Sequence, residues 1–406
     1  MRIGGPSLLH AFSQQNKLPS SSYIYKLVKS TIKIEYSIEK DYRALISQNM
    51  LQFFKGVNGF YAIKMDEFGI NQKARWSPSN NEIIGFCFNH CSCVGSWKFN
   101  NWLNLEDIKR KFLNRQIHLA KEALFITIGQ ITVSDVVPKP ILVVPVCSHT
   151  LPQIVSFIET SIATFESQNE NAFITNISTD GDPYRRKVLE EQRRPCYDFN
   201  VSQMKYFDNN LFLGKYGINY DIKHLIKRIR GIIISPKRSI TLIKRSINRE
   251  HIEAYLPELK SLLNPSDYQN VPVAVQLLKG LTEIKKNVND NTLVVDIKNE
   301  IELLAIISEL LLSLFTKPTI NLLDQLFNMA KCSILLLHIY RKFRSKFMTK
   351  DLYKDIESTI QSCFVATKIF FSDDKNSKLF LYQLGTDELK SFFVFWCSEN
   401  IEPFKK

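Results

Sequence analysis

The chain has 406 residues, 45% of them hydrophobic and 12% aromatic, so it can bury a sizeable core and is not a disordered polypeptide. Its 53 basic against 40 acidic side chains leave a net charge of +13, which favours a polyanionic partner, nucleic acid ahead of an anionic membrane surface, without implying specificity. The opening stretch MRIGGPSLLHAFSQQNKLPSSS has no apolar run of secretory length, so the eight cysteines are expected reduced, in the nucleus or the cytoplasm, with no disulfides.

Residues 1 to 59 are polar and helical in pieces. LPSSSYIYKLVKS places a Ser-rich cap before an amphipathic stretch, and the segment reads as a helical accessory unit. From Phe60, the runs FYAIKM, EIIGFCF, ALFITIGQITV and ILVVPV are rich in Ile, Val and Phe and divided by turn residues, which predicts strands. LPQIVSFIETSIATFESQN then repeats Ile154, Phe157, Ile158, Ile162 and Phe165 at helical spacing, and AFITNIST is a further strand. In NYDIKHLIKRIRGIII, Ile222, Leu225, Ile226, Ile229 and Ile233 share one stripe with Lys223, Lys227 and Arg230 mostly off it, the pattern of a buried helix with a basic outer surface.

From about Leu262 to Phe371 the pattern is helical throughout, and with no Gly- or Ser-rich linker it reads as a helical insertion packed on an α/β part. The expected division is an accessory segment 1–59, the first part of an α/β core 60–261, a helical insertion 262–371, and a late helix with its tail 372–406. The apolar run from Ile301 to Phe315 is too short for a bilayer and carries Glu302 and Glu309, so no membrane partner is expected.

Two of the strands end in acid. AFITNIST runs into Asp180, Gly181, Asp182 and Pro183, and FYAIKMDEF runs into Asp66 and Glu67. Asp-Gly and Asp-Pro are ordinary turn chemistry, and Asp182 is placed to cap a helix starting near Pro183. Two such strands with further strands and a helix between them also match the way an RNase H-like fold gathers distant carboxylates on adjacent central strands. There, paired divalent cations clamp the attacking and leaving oxygens of a phosphodiester.

The set MDEF (65–68), STDGD (178–182), NYDIKHLIKRIR (219–230) and GTDELKSFF (385–393), in this order, resembles the P-element type of DNA transposases with their fungal and domesticated relatives, over roughly residues 15 to 395. The resemblance implies an α/β fold, an RNase H-like mixed sheet with flanking helices interrupted by an all-helical insertion. It implies DNA strand cleavage and transfer with Mg2+ or Mn2+, and DNA and a homo-oligomer as partners. Asp66 and Asp180 would be the catalytic, metal-holding carboxylates, with Asp221 and His224 as a structural Asp-x-x-His element. GTP on the insertion follows by family analogy alone, because no Gly-x-x-x-x-Gly-Lys-Ser/Thr loop is present.

The family's third carboxylate is a glutamate in an Asp-x-Leu-Glu pattern on a late helix. Aligning Asp387 and Leu389 puts Lys390 in its place, a reversed charge that would repel Mg2+ and could pair with Asp66 or Asp180. The substitutes are Glu388, about 200° away around a helix, and Asp387, on a similar face with a shorter side chain. No cysteine precedes Cys87, so the zinc-dependent DNA-binding module of relatives is not expected, and after the late helix only SFFVFWCSENIEPFKK follows. The expectation is a truncated or domesticated copy, catalytically impaired. A non-catalytic DNA-binding or assembly protein and a helical interaction scaffold are the rival readings.

CFNHCSC brings Cys87, His90, Cys91 and Cys93 together, and Cys147 and His149 could join them. Read as a strand, alternate positions would face opposite sides, so no zinc is expected. Cys147 and His149 have no orienting acid in the sequence and make a poor nucleophile pair. Arg185, Arg186, Lys187, Lys223, Lys227, Arg228, Arg230, Lys237, Arg238, Lys244 and Arg245 flank the acidic strand ends. They are the expected phosphate-contacting surface for sequence-nonspecific DNA binding, a solvated basic face being the plainer alternative.

Overall fold

A computed structural model describes residues 41–78, 80–134, 136–147, 152–191, 216–267, 270–283, 295–313, 320–373 and 378–386. Asp387, Glu388, Lys390 and His149 lie outside the described residues.

The first helix, α1 (Tyr42–Phe54), is capped by Asp41, whose side chain accepts the Arg43 amide. A strand β1 (Gly59–Gly69), buried over most of its length, leads into an excursion made of β2 (Arg75–Ser77), β3 (Glu82–Ile84) and α2 (Trp102–Leu113). The chain returns through β4 (Glu122–Gln130) and β5 (Lys139–Val146), then α3 (Ile154–Gln168) and β6 (Ala172–Thr179). Next come α4 (Pro183–Glu191), β7 (Gly217–Tyr220) and α5 (Ile222–Ile234). A small hairpin, β8 (Ile240–Thr241) and β9 (Ser246–Ile247), is followed by α6 (Arg249–Tyr255), α7 (Val271–Glu283), α8 (Val295–Leu312), α9 (Leu322–Phe343) and α10 (Lys350–Asp373).

The main sheet has the order β5-β4-β1-β6-β7. The first three strands form an antiparallel meander, and β6 and β7 add in parallel on the other side of β1. The helix α3 makes the crossover that parallel pairing requires. This is the RNase H-like arrangement, and the expected α/β mixed sheet with flanking helices is borne out. The order puts the C-terminal ends of β1 and β6 side by side, which brings two distant acidic strand ends together.

The structure corrects two expectations about layout and refines a third. First, α1 is no accessory piece. Leu45, Ile46, Met50 and Phe54 belong to the main core, α1 packs on α3 and β5, and the Asn49 amide donates to the Ile141 carbonyl at 3.1 Å. Its exposed polar residues hid one continuous apolar face.

Second, EIIGFCF is not a strand of the main sheet. Glu82–Ile84 alone pairs with β2, because Gly85 turns the chain at φ +100°, where a Cβ would run into the Lys73 carbonyl oxygen. The excursion has a small core of its own, Ile83, Phe86, Val94, Trp97, Ile108 and Ile117.

Third, α10 is a layer of the α/β unit. Ser358 Oγ donates to the Ile218 carbonyl at 2.9 Å, and Thr359 Oγ accepts the Tyr220 amide at 3.2 Å. Both satisfy backbone groups on the outer edge of β7, so the helix covers the sheet edge with hydroxyls. A Ser/Thr-bearing helix reads from sequence like any amphipathic one. Among the described residues, α7 packs on α5, α8 on α7, α9 on α8 and α10 on α9, so the helical segment leaves the sheet and returns to it.

By length and composition Leu322–Lys346 is apolar enough to cross a membrane, although the sequence reading passed over it. One face of it, with Met329, Cys332, Leu336 and Ile339, packs in the core, and Ser333 donates to the buried Glu357 of α10 at 2.6 Å, while Leu323, Phe327 and Ile334 on the other face are exposed.

Candidate metal centre and nucleic-acid interface

The strand β1 carries Asp66 and Glu67 near its C-terminal end, and β6 stops at Thr179 with Asp180 next. Gly181 then takes φ +81°, a conformation glycine adopts without strain, and the turn divides its two aspartates between tasks. Asp182 caps α4, its Oδ1 accepting the amides of Tyr184 at 2.9 Å and Arg185 at 3.2 Å. Asp180 Oδ1 accepts the Asp182 amide at 3.0 Å, which fixes that carboxylate toward β1. One oxygen from each of Asp66, Glu67 and Asp180 lies within 4.8 Å of the others, Asp66 being buried and its neighbours half-buried. An all-oxygen set of this size suits a hard divalent cation.

A guanidinium sits among these carboxylates. Arg185, in the first turn of α4 and 1% exposed, ion-pairs with Glu67 and, at 3.2 Å, with Asp180. Its Nε and Nη1 are buried with no hydrogen-bond partner among the described residues. The arginine therefore supplies the positive charge that two close carboxylates need in a low-dielectric site. Glu67 and the inward role of Arg185 were missed from sequence. The available signal was the frame set by the Asp182 cap, which puts residue 185 on the first helical turn, over the strand ends.

The other predicted residues divide into buried and surface groups. Arg186 makes a two-pronged ion pair with buried Asp355 of α10, both contacts at 2.8 Å, and Arg228 of α5 meets the same carboxylate. Burial pushes the Asp355 carboxyl up from its usual range while the two guanidiniums pull it back. Arg230 is fully buried and donates to the carbonyls of Leu262, Asn264 and Asp267. The DNA-contact expectation is thus corrected for Arg185, Arg186 and Arg230, whose donors are turned inward. Sequence alone could not separate them, because a helix with Lys223, Lys227 and Arg230 off its apolar stripe gives no depth.

Lys223 and Lys227 lie partly exposed on α5, and Lys244 and Arg245 are well exposed in the β8–β9 turn, each near Asp296. That turn is held from beneath. The buried Glu300 of α8 accepts the backbone amides of Leu242, Ile243, Lys244 and Arg245, at 2.7, 3.0, 2.5 and 2.6 Å.

Asp221 is fully buried and caps α5, accepting the Lys223 amide at 2.8 Å, and His224 Nε2 stands 3.9 Å from its other oxygen. The pair sits at the start of a helix and contributes no oxygen to the carboxylate cluster. Residues 379–386 return to the sheet. Phe380 bonds to Ile131, the Gln383 side chain donates to the Val133 carbonyl, and the Leu384 carbonyl accepts from Ser178 Oγ on β6. The last described residues, up to Thr386, are therefore held against β6 through Leu384.

No protein-family model matches the chain, and no curated protein matches it. Among solved structures it is similar to the Drosophila P element transposase strand transfer complex, with a TM-score of 0.59 and 12% sequence identity, over 98% of this chain and 84% of that one. The chain thus shares the fold of that transposase, an RNase H-like α/β sheet flanked by helices.

Proposed function

We propose that this chain is a transposase-derived protein whose core is related to Mg2+- or Mn2+-dependent DNA strand cleavage and transfer, and that its own catalysis is impaired. The observation that carries the reading is the convergence of Asp66, Glu67 and Asp180 at the ends of neighbouring parallel strands in a β5-β4-β1-β6-β7 sheet. Asp66 and Asp180 would hold the metal, with Glu67 beside them. Divalent ions bound there would polarise a phosphodiester and stabilise the charge that develops on its oxygens.

Two features oppose turnover. Arg185 already offsets the charge of Glu67 and Asp180 and would have to withdraw before a cation could bind. Lys390 stands where the resemblance expects a glutamate, which removes one ligand and adds a positive charge. The Arg185 clamp also favours the second reading, a nuclear, non-catalytic DNA-binding or assembly protein. In either case the phosphate contacts fall to Lys223, Lys227, Lys244 and Arg245.

The test is nicking of supercoiled plasmid in Mn2+, comparing the natural chain with Lys390→Glu and with Lys390→Glu, Asp66→Ala. Cutting by Lys390→Glu alone identifies a disabled transposase. Cutting by the natural chain that Asp66→Ala abolishes would sink the impairment, and cutting that survives Asp66→Ala would sink the site.

A further inference from the structure

A second donor cluster lies apart from the carboxylates, where the excursion between β1 and β4 meets the end of β5. Phe88–Cys93 is a 3-10 turn rather than a strand, so the argument that alternate positions diverge does not hold for it. The turn brings His90 back beside Cys87, three residues earlier. Cys147, directly after β5, completes a trio whose donor atoms all lie within 4.8 Å of one another.

A fourth donor comes from a residue the sequence reading did not consider. His118 Nδ1 stands 3.8 Å from Cys147 Sγ, His90 Nδ1 stands 3.9 Å from the same sulfur, and the two imidazole rings are 4.3 Å apart. For zinc at its usual bond lengths to sulfur and nitrogen, the tetrahedral edge between the two donors is about 3.6 Å. We propose that Cys87, His90, His118 and Cys147 bind one structural Zn2+ ion.

Two further observations fit. His118 Nε2 lies 3.2 Å from the Arg115 carbonyl, which as a hydrogen bond takes the proton on Nε2 and leaves the Nδ1 lone pair toward Cys147 Sγ. Main-chain bonds hold the ligand segments together: the Cys87 amide donates to the His118 carbonyl, the Ala120 amide to the Gly85 carbonyl, and the Cys147 amide approaches Cys87 Sγ at 3.2 Å.

The site also has a structural task. The excursion carries only the six-residue core around Trp97, and its exit strand pairs within the main sheet with β5, which Cys147 follows directly. An ion joining Cys87 to Cys147 closes a loop of 60 residues and fastens the small core to the sheet edge.

The test is elemental analysis of the full chain purified without added metal, with Co2+ exchange to read the ligand set. One equivalent of zinc and a cobalt spectrum of tetrahedral thiolate–imidazole type are expected. Cys147→Ser and His118→Ala should lose the metal, while Cys93→Ser, an exposed cysteine outside the set, keeps it. Cys147→His guards against simple misfolding, because it retains a ligand and should keep the ion with a shifted cobalt spectrum. Folded protein without zinc, or full zinc retention in Cys147→Ser, would overturn the assignment. Neither result bears on the carboxylates, which Mn2+-dependent nicking reads separately.

Discussion

Arg185 Nη2 lies 3.2 Å from Asp180 Oδ1, and the same nitrogen reaches Glu67 on the adjacent strand. A residue that looks from sequence like part of a DNA-binding basic run is instead the counter-ion of the acidic strand ends.

Removing that counter-ion should make the fold depend on metal. Arg185→Gln leaves Glu67 and Asp180 facing each other and should cost about 3–5 kcal/mol in chelator, the usual penalty for breaking a buried pair. Millimolar Mn2+ should restore much of the loss, whereas the natural chain should gain little. Thermal unfolding with and without Mn2+ decides it, and an equal gain in both proteins would mean that the guanidinium does not stand in the cation's place.

Glu300 offers a test of the basic turn. Its carboxylate accepts four backbone amides, of which that of Leu242 is buried, so Glu300→Ala leaves them without their acceptor and should destabilise by about 1–3 kcal/mol. Limited trypsin digestion should then cut first at Lys244 and Arg245. Unchanged cleavage there would show that the turn holds itself.

DNA affinity should divide the basic residues by depth. Lys223→Ala, Lys227→Ala, Lys244→Ala and Arg245→Ala should each lower the slope of log affinity against log salt by about 0.9 or less, with the fold intact. Arg230→Ala should instead show as a stability loss, since its donors bind the carbonyls of Leu262, Asn264 and Asp267. Fluorescence anisotropy over a salt series, paired with thermal melts, separates the two effects. No salt-dependent binding at all would remove DNA as the partner.

Thiol reactivity should follow burial. Cys363 is pushed up to about 12 and Cys332 is raised well above the ordinary thiol value, both by burial. At pH 8 a thiol with pKa about 12 is ionised in about one molecule in ten thousand, and the thiolate is the nucleophile. Cys93, which is exposed, should label rapidly with a thiol reagent while Cys332 and Cys363 label only after denaturation. Labelling of Cys363 at the rate of Cys93 would show that α10 opens from the sheet.

The strands and the acidic turn were legible because they rest on local signals. β-branched runs, a period of 3.6 in α3 and α5, and Asp-Gly-Asp-Pro after AFITNIST need no partner to be read. The run EIIGFCF misled because its composition suits a strand while Gly85 bends it sharply. Helix α1 was placed outside the core and the partner of α10 was left undefined because amphipathic spacing shows that a face is buried, not against what. In α10 the contacts that decide are hydroxyls of Ser358 and Thr359 on the edge of β7.

The sequence by itself determined the element types, the basic balance and the acids at the ends of β1 and β6, since each is a property of neighbours along the chain. Only the tertiary structure decided which charges face solvent and which face each other. Arg185 and Lys223 carry the same charge in similar helical surroundings, yet one is 1% exposed against two carboxylates and the other lies partly exposed on α5. The same holds for Cys87, His90 and Cys147, and for His118 beside Cys147, which meet only once the excursion folds back on β5. Burial and through-space approach depend on how the layers pack, and side-chain spacing along one strand or helix carries no record of that.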